Sequence, residues 1–159
     1  MINGNSGMQN KGERLDITRI FDAPPDLVFR LWSEPEHMAR WSCPKDFTTT
    51  LNEGDVRPGG NWRMCMRSPA GQDYCLQGTY WEIMAPERIL FTHAWEDAEG
   101  KPLHETQVTV CFTEVDGKTR QTFRQAGFES AASRDSHEAG WNECFDKEDA
   151  YLSQLTRSG

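Results

Sequence analysis

At 159 residues the chain is long enough for one domain with a sizeable core. Its net charge of −8 excludes the basic face that phosphates demand, so neither nucleic acid nor an anionic membrane surface is an expected partner. The hydrophobic share is only 36%, but six Trp and eight Phe supply bulk to the core.

The five cysteines (Cys43, Cys65, Cys75, Cys111 and Cys144) are odd in number, scattered and free of any C-x-x-C pair. That pattern implies five free thiols in a reducing compartment, which makes the cytoplasm the expected location. Residues 1–13 are rich in Gly, Asn and Ser and lack a signal-peptide profile, so a disordered tail is expected there. Residues 14–157 are expected to form a single domain. No apolar run approaches the roughly 18 residues of a membrane span.

In chain order, Leu15, Ile17 and Phe21 alternate with polar residues and predict a strand, although Arg19 interrupts its apolar face. Ala23-Pro24-Pro25-Asp26 then opens a short helix with Val28, Leu31 and Trp32 on one face. Ser33 and Glu36 have capping-box spacing and predict a second short helix reaching Trp41. Strands are expected over Asn61–Arg67, Tyr74–Met84, Arg88–Trp95, Glu105–Glu114 and Thr119–Ala126. Between them lie turn signals: Asn52-Glu53-Gly54-Asp55, Arg57-Pro58-Gly59-Gly60, Pro69-Ala70-Gly71-Gln72, Ala85-Pro86-Glu87, Asp97-Ala98-Glu99-Gly100 and Asp116-Gly117. Gly78 marks an expected bend or bulge. From about Ser130 to Leu155 there is no Pro, and Trp141, Phe145, Leu152 and Leu155 form one stripe of a long helix. Two short helices, about seven antiparallel strands and one long C-terminal helix make an α+β domain.

Several segments resemble one family in order and spacing: Val28-Phe29-Arg30-Leu31-Trp32-Ser33-Glu34-Pro35-Glu36-His37-Met38-Ala39-Arg40-Trp41, Arg57-Pro58-Gly59-Gly60, Gly78-Thr79-Tyr80-Trp81-Glu82-Ile83, Pro86-Glu87-Arg88-Ile89, Gly127-Phe128 and His137-Glu138-Ala139-Gly140-Trp141. Together they make the chain similar, from about residue 15 to 155, to the homologues of the activator of heat-shock-protein-90 ATPase. That family belongs to the START-like (SRPBCC) superfamily, with the birch-pollen allergen and aromatic polyketide cyclases. The resemblance implies the helix-grip fold, a curved sheet wrapped around the C-terminal helix, with a cavity between them. It carries function by analogy alone.

Aromatic and thioether side chains dominate the positions expected to face inward: Trp62, Met64, Met66, Phe91, Trp95, Val108, Val110, Phe123, Trp141 and Phe145. Such residues suit an adaptable wall for a small apolar or aromatic molecule; each taken alone more often simply fills a core, and the fold analogy is what favours a cavity. His93 shares strand parity with Phe91 and Trp95, as a cavity group or a hydrogen-bonded core histidine. His137, one turn before Trp141, either polarises the cavity mouth or anchors the helix. His37, His93, His104 and His137 show no metal-ligand spacing, and there is no phosphate loop or nucleophile elbow, so no metal, cofactor or catalytic residue is assigned.

Glu148 is the anomaly. At about 100° per residue it falls in the middle of the apolar helix stripe, where the family carries an aliphatic residue. A carboxyl buried there would hold its proton and need a partner, and it becomes a cavity candidate; a wet Glu148 beyond the sheet is the alternative. Three functions stay open: binding or carriage of a small apolar ligand, a cyclase- or hydratase-like enzyme using Glu148 and an inward His, and a co-chaperone-like interaction domain with a chaperone or a second copy as partner.

Overall fold

The computed structural model describes residues 14–158, so the tail expected over residues 1–13 lies outside the described residues. Alternation at Leu15, Ile17 and Phe21 becomes strand β1 (Arg14–Phe21), with those three side chains buried. Arg19, which breaks the apolar face, reaches across to the long helix. Its guanidinium donates to the Asn142 carbonyl at 3.0 Å and pairs with Asp146 at 3.0 Å. Helix α1 (Pro25–Ser33) starts at the second proline, where a missing N–H costs nothing, and buries Val28, Phe29, Leu31 and Trp32.

The capping box does not form. Ser33 ends α1, and α2 (Pro35–Met38) is capped by Glu34 without a side-chain bond. Glu34 instead receives Arg30 at 3.0 Å and lies 3.3 Å from His37. The helix stops at Met38, and turns carry the chain on to Trp41.

The remaining strands are β2 (Thr48–Gly54), β3 (Asn61–Arg67), β4 (Asp73–Met84), β5 (Arg88–Glu96), β6 (Pro102–Val115) and β7 (Lys118–Ala126). All seven form one antiparallel sheet in the order β1-β7-β6-β5-β4-β3-β2. After β1 the chain crosses through α1 and α2 to the far edge, then meanders back to pair β7 with β1. Helix α3 (Ala131–Ser158) packs along the inner face, completing the helix-grip architecture. None of these helices is long and apolar enough to cross a membrane.

Three local expectations are corrected. Asn52-Glu53-Gly54 is the end of β2 rather than a turn, with Gly54 paired to Trp62. Gly78 is not the bulge, which falls between Tyr80 and Glu82 and leaves Trp81 half exposed. At Gly78 the β4–β5 ladder is interrupted: the Thr79 N–H donates to Thr92 Oγ1 at 2.8 Å, and the Trp62 indole donates to the Thr92 carbonyl at 3.2 Å. A Cβ on Gly78 would sit 1.9 Å from that carbonyl oxygen, which is why the position has no side chain. Finally, Cys65 and Cys75 face each other across β3 and β4 and form a disulfide, so the five thiols reduce to Cys43, Cys111 and Cys144. Sequence spacing could not reveal a pair made by strand register, and the argument from unpaired thiols to a reducing compartment falls with it.

Thiol titration of denatured, unreduced protein is expected to count three thiols, rising to five after reduction; five at the outset would refute the cross-strand pair. Gly78→Ala is expected to cost at least about 2 kcal/mol in urea melts, because backbone rather than a flexible side chain meets the added carbon.

Candidate functional site

The inner face carries two apolar clusters. The larger gathers Trp32, Trp41, Phe91, Phe123 and Phe145 with the buried faces of α1, β1, β6 and β7. The smaller is Cys43, Met64, Met66 and Leu76. A cavity of about 260 Å³ is bounded by members of both.

Each element contributes to the cavity wall by the parity or stripe that its sequence dictates. Strand β3 supplies Trp62, Met64 and Met66, β4 supplies Tyr74, Leu76 and Tyr80, and β5 supplies Phe91, His93 and Trp95. Helix α3 supplies Ser136, His137, Gly140, Trp141 and Cys144, one face at helical spacing. Trp32 of α1 and Asn52 of β2 complete the sides, and Met38, Ser42, Pro44 and Phe47 form the remaining border.

Of the residues singled out from sequence, Trp62, Met64, Met66, Phe91, His93, Trp95, His137 and Trp141 meet at this wall. Val108, Val110, Phe123, Phe145 and Glu148 do not; they lie in the packed core. Tyr74, Leu76 and Tyr80 were missed although their shared strand parity was available. Ser42, Pro44 and Phe47 lie in an irregular segment with no periodic signal.

The wall is aromatic, yet its indole N–H groups are committed elsewhere. Trp32 donates to Gln121 Oε1 at 2.9 Å and to Glu148 Oε2 at 3.2 Å. Trp62 donates to the Thr92 carbonyl, Trp95 to His137 Nε2 at 2.9 Å, and Trp141 to Gln125 Oε1 at 2.8 Å. A buried indole N–H without an acceptor would cost about 1–3 kcal/mol, so these partners are conditions for lining a cavity with tryptophan.

His137 is held neutral by that arrangement. Its Nδ1 lies 2.7 Å from the Ser133 carbonyl and must donate there, while Nε2 accepts from Trp95. Burial lowers its pKa, partly offset by the Ser133 bond. His93 is 5% exposed, and burial, reinforced by the neighbouring His137, lowers its pKa to about 3. The two rings are 5.9 Å apart, edge to face. Burial pushes the Tyr80 hydroxyl up to about 12 and raises the Cys144 thiol as well. Among the described residues, no Asp, Glu, Lys or Arg stands at the wall.

Glu148 is fully buried, as its place on the stripe requires. It is not a cavity group: Trp32 donates to one oxygen, and Gln121 Nε2 donates to the other at 3.2 Å. Burial raises its pKa to about 8, against those two hydrogen bonds and the more distant Arg19, which favour the charged form.

The match to the family profile of Activator of Hsp90 ATPase homolog 1-like proteins spans residues 22–153. The chain belongs to that family. Among solved structures it is similar to a protein from Arthrobacter aurescens (26% identity, TM-score 0.83), covering 91% of this chain and 88% of that one. A Chromobacterium violaceum protein gives 26% identity and a TM-score of 0.80, covering 87% and 96%. The AHSA1 protein of Silicibacter pomeroyi shares the fold at 23% identity, with a TM-score of 0.82 and coverage of 89% and 99%. No curated protein matches. This member of the AHSA1-like family thus has a known architecture, and its chemistry must be argued from the cavity wall.

The Glu148 carboxyl generates a pH prediction. The unfolded chain ionises it near 4.5, whereas the folded protein holds the proton to about 8. Its contribution to stability is therefore complete below about pH 4.5, declines as pH rises to 8 and is flat above. His93 and His137, whose pKa values are lowered, act in the opposite sense below about 6.5, so the comparison is with Glu148→Gln. Relative to that variant, the parent is expected to lose on the order of 4 kcal/mol between pH 5 and 8. Parallel pH–stability curves for the two proteins would show that the buried carboxyl does not titrate in this way.

Proposed function

We propose that this chain binds and carries a small, mostly apolar molecule in the cavity between the sheet and helix α3. The observation that carries the reading is the wall itself: a space of about 260 Å³ edged by Trp, Met, Phe and Tyr, with every indole N–H turned to a protein acceptor. Ring faces and thioethers remain to meet a ligand, and they favour apolar contact. At the packing density of protein interiors, about 0.74, such a space takes a guest of roughly ten to fifteen non-hydrogen atoms. The acid/base alternative finds no carboxylate at the wall, because Glu148 is bound to Trp32 and Gln121.

Gly140 offers a test that separates binding from folding. It lies in the interior of α3, faces the cavity, and a Cβ built on it meets nothing closer than Pro44 Cγ at 3.8 Å. Gly140→Ala is expected to stabilise the helix by about 1 kcal/mol and to keep binding of a neutral probe such as naphthalene, measured by saturation-transfer NMR. Gly140→Leu, which projects into the space, is expected to weaken that binding at least tenfold with no loss of thermal stability. A parent protein that binds no apolar probe, or a Leu variant that binds as well as the parent, would overturn the proposal.

A further inference from the structure

Resting on that binding reading, we propose that the cavity selects an uncharged aromatic molecule bearing a hydroxyl or carbonyl group, and that the His93 imidazole and the Tyr80 hydroxyl hydrogen-bond that group.

Most hydrogen-bonding groups at the wall are already paired within the protein. The indoles of Trp32, Trp62, Trp95 and Trp141 have spent their single donors inside the protein, and both nitrogens of His137 are occupied. Asn52, Tyr74 and Ser136 also border the space, but Asn52 is only half-buried and the other two are exposed; His93 and Tyr80 are the buried polar rings that remain. Each is more than nine-tenths buried, at 5% and 4% exposure, and each lines the cavity. Among the described residues, neither side chain has a hydrogen bond to another residue; only His93's own backbone touches its ring, and burial alone perturbs Tyr80. Ser42 Oγ, also at the wall, is buried with no partner. In a folded protein, buried polar groups are nearly always paired. Ser42 Oγ is costly to leave unpaired, and the polar atoms of His93 and Tyr80, which keep contact with the cavity space, take their partner there from a ligand or from water.

The same groups define the partner's charge. His93 is neutral, and with its own backbone against one ring nitrogen it has a single ring nitrogen to offer a guest. Tyr80 keeps its proton and can donate or accept. A hydroxyl matches both, and a carbonyl matches Tyr80. A carboxylate does not, since no Lys, Arg or cationic imidazole stands at the wall to offset its desolvation. Aromatic rings surround His93: Trp62, Trp95 and Trp141 each lie 6.0 Å from it between ring centroids, tilted or edge-on, so a guest at His93 is among indoles.

Three probes of one shape test this on the full chain at pH 7.5: naphthalene, 2-naphthol and 2-naphthoate, with Kd from NMR titration. Naphthol is expected to bind about tenfold more tightly than naphthalene, in line with one or two hydrogen bonds, and at least tenfold more tightly than naphthoate. Tyr80→Phe, which removes a single oxygen, and His93→Phe are each expected to shrink the naphthol-to-naphthalene ratio three- to tenfold, whatever either does to naphthalene binding itself. A merely structural role would weaken both probes alike and leave the ratio intact. If His93→Phe does not fold, Tyr80→Phe alone decides. Equal affinity for naphthol and naphthalene, tightest binding of naphthoate, or a ratio unmoved in the folded variants would overturn this selection while the cavity reading stands. Failure of all three probes to bind would overturn both.

Discussion

An indole buried in an apolar interior must still find an acceptor for its N–H, and much of this structure is arranged around that requirement. Trp32 on α1, Gln121 on β7 and Glu148 on α3 meet at one vertex, so a helix, the sheet and the grip helix are tied by hydrogen bonds as well as by packing. A second chain runs from Trp141 through Gln125 to Thr106 and on to the His93 carbonyl. The amides are there because the indoles are. Pairing each wall indole N–H with a protein acceptor leaves ring faces free along the cavity.

This logic separates what the sequence disclosed from what it concealed. Period-two alternation revealed β1, β3 and β5 with their inward residues, and helical spacing revealed the α3 stripe with Glu148 inside it. Asp116 and Gly117 both adopt positive φ, the conformation their residue types favour, and make the two-residue hairpin between β6 and β7. Strand β2, Thr-Thr-Thr-Leu-Asn-Glu-Gly, sits at a sheet edge, half exposed on both faces, and so lacks alternation. Gln121 and Gln125 occupy apolar parity in β7 and look like errors of pattern until their indole partners are placed. Tyr80 was legible by parity, but that its hydroxyl has no hydrogen bond to another described residue is a property of three dimensions. Glu148 was found by its anomaly and misassigned by it: the stripe reports burial, and the partner that satisfies a buried group lies elsewhere in the sequence.

Membership of the AHSA1-like family accounts for the frame and leaves the wall to the individual protein. Solved relatives at 23–26% identity keep the frame, which requires only that strands, turns and grip helix retain their periodicities. Among the described residues, the wall carries no Asp, Glu, Lys or Arg and holds two neutral histidines, one locked by Trp95 and Ser133, the other held neutral by burial. Selectivity in such a site resides in a few hydrogen-bonding atoms set in a surface that is otherwise indifferent to orientation.

The pairing of β1 with β7 has a consequence for how the molecule comes into being. Leu15 lies beside Gln125, and Phe21 beside Thr119, so the first strand waits for its neighbour until most of the polypeptide has been synthesised. Strands β2 to β6 are successive hairpins and can assemble as they emerge from the ribosome. Helix α3 comes last and lays one side of the cavity over the sheet. Until then the tryptophans of β3 and β5 face solvent with no helix above them, a state of high exposed apolar area and slow, non-local closure. The cavity is thus the final product of folding, enclosed only when the last element docks.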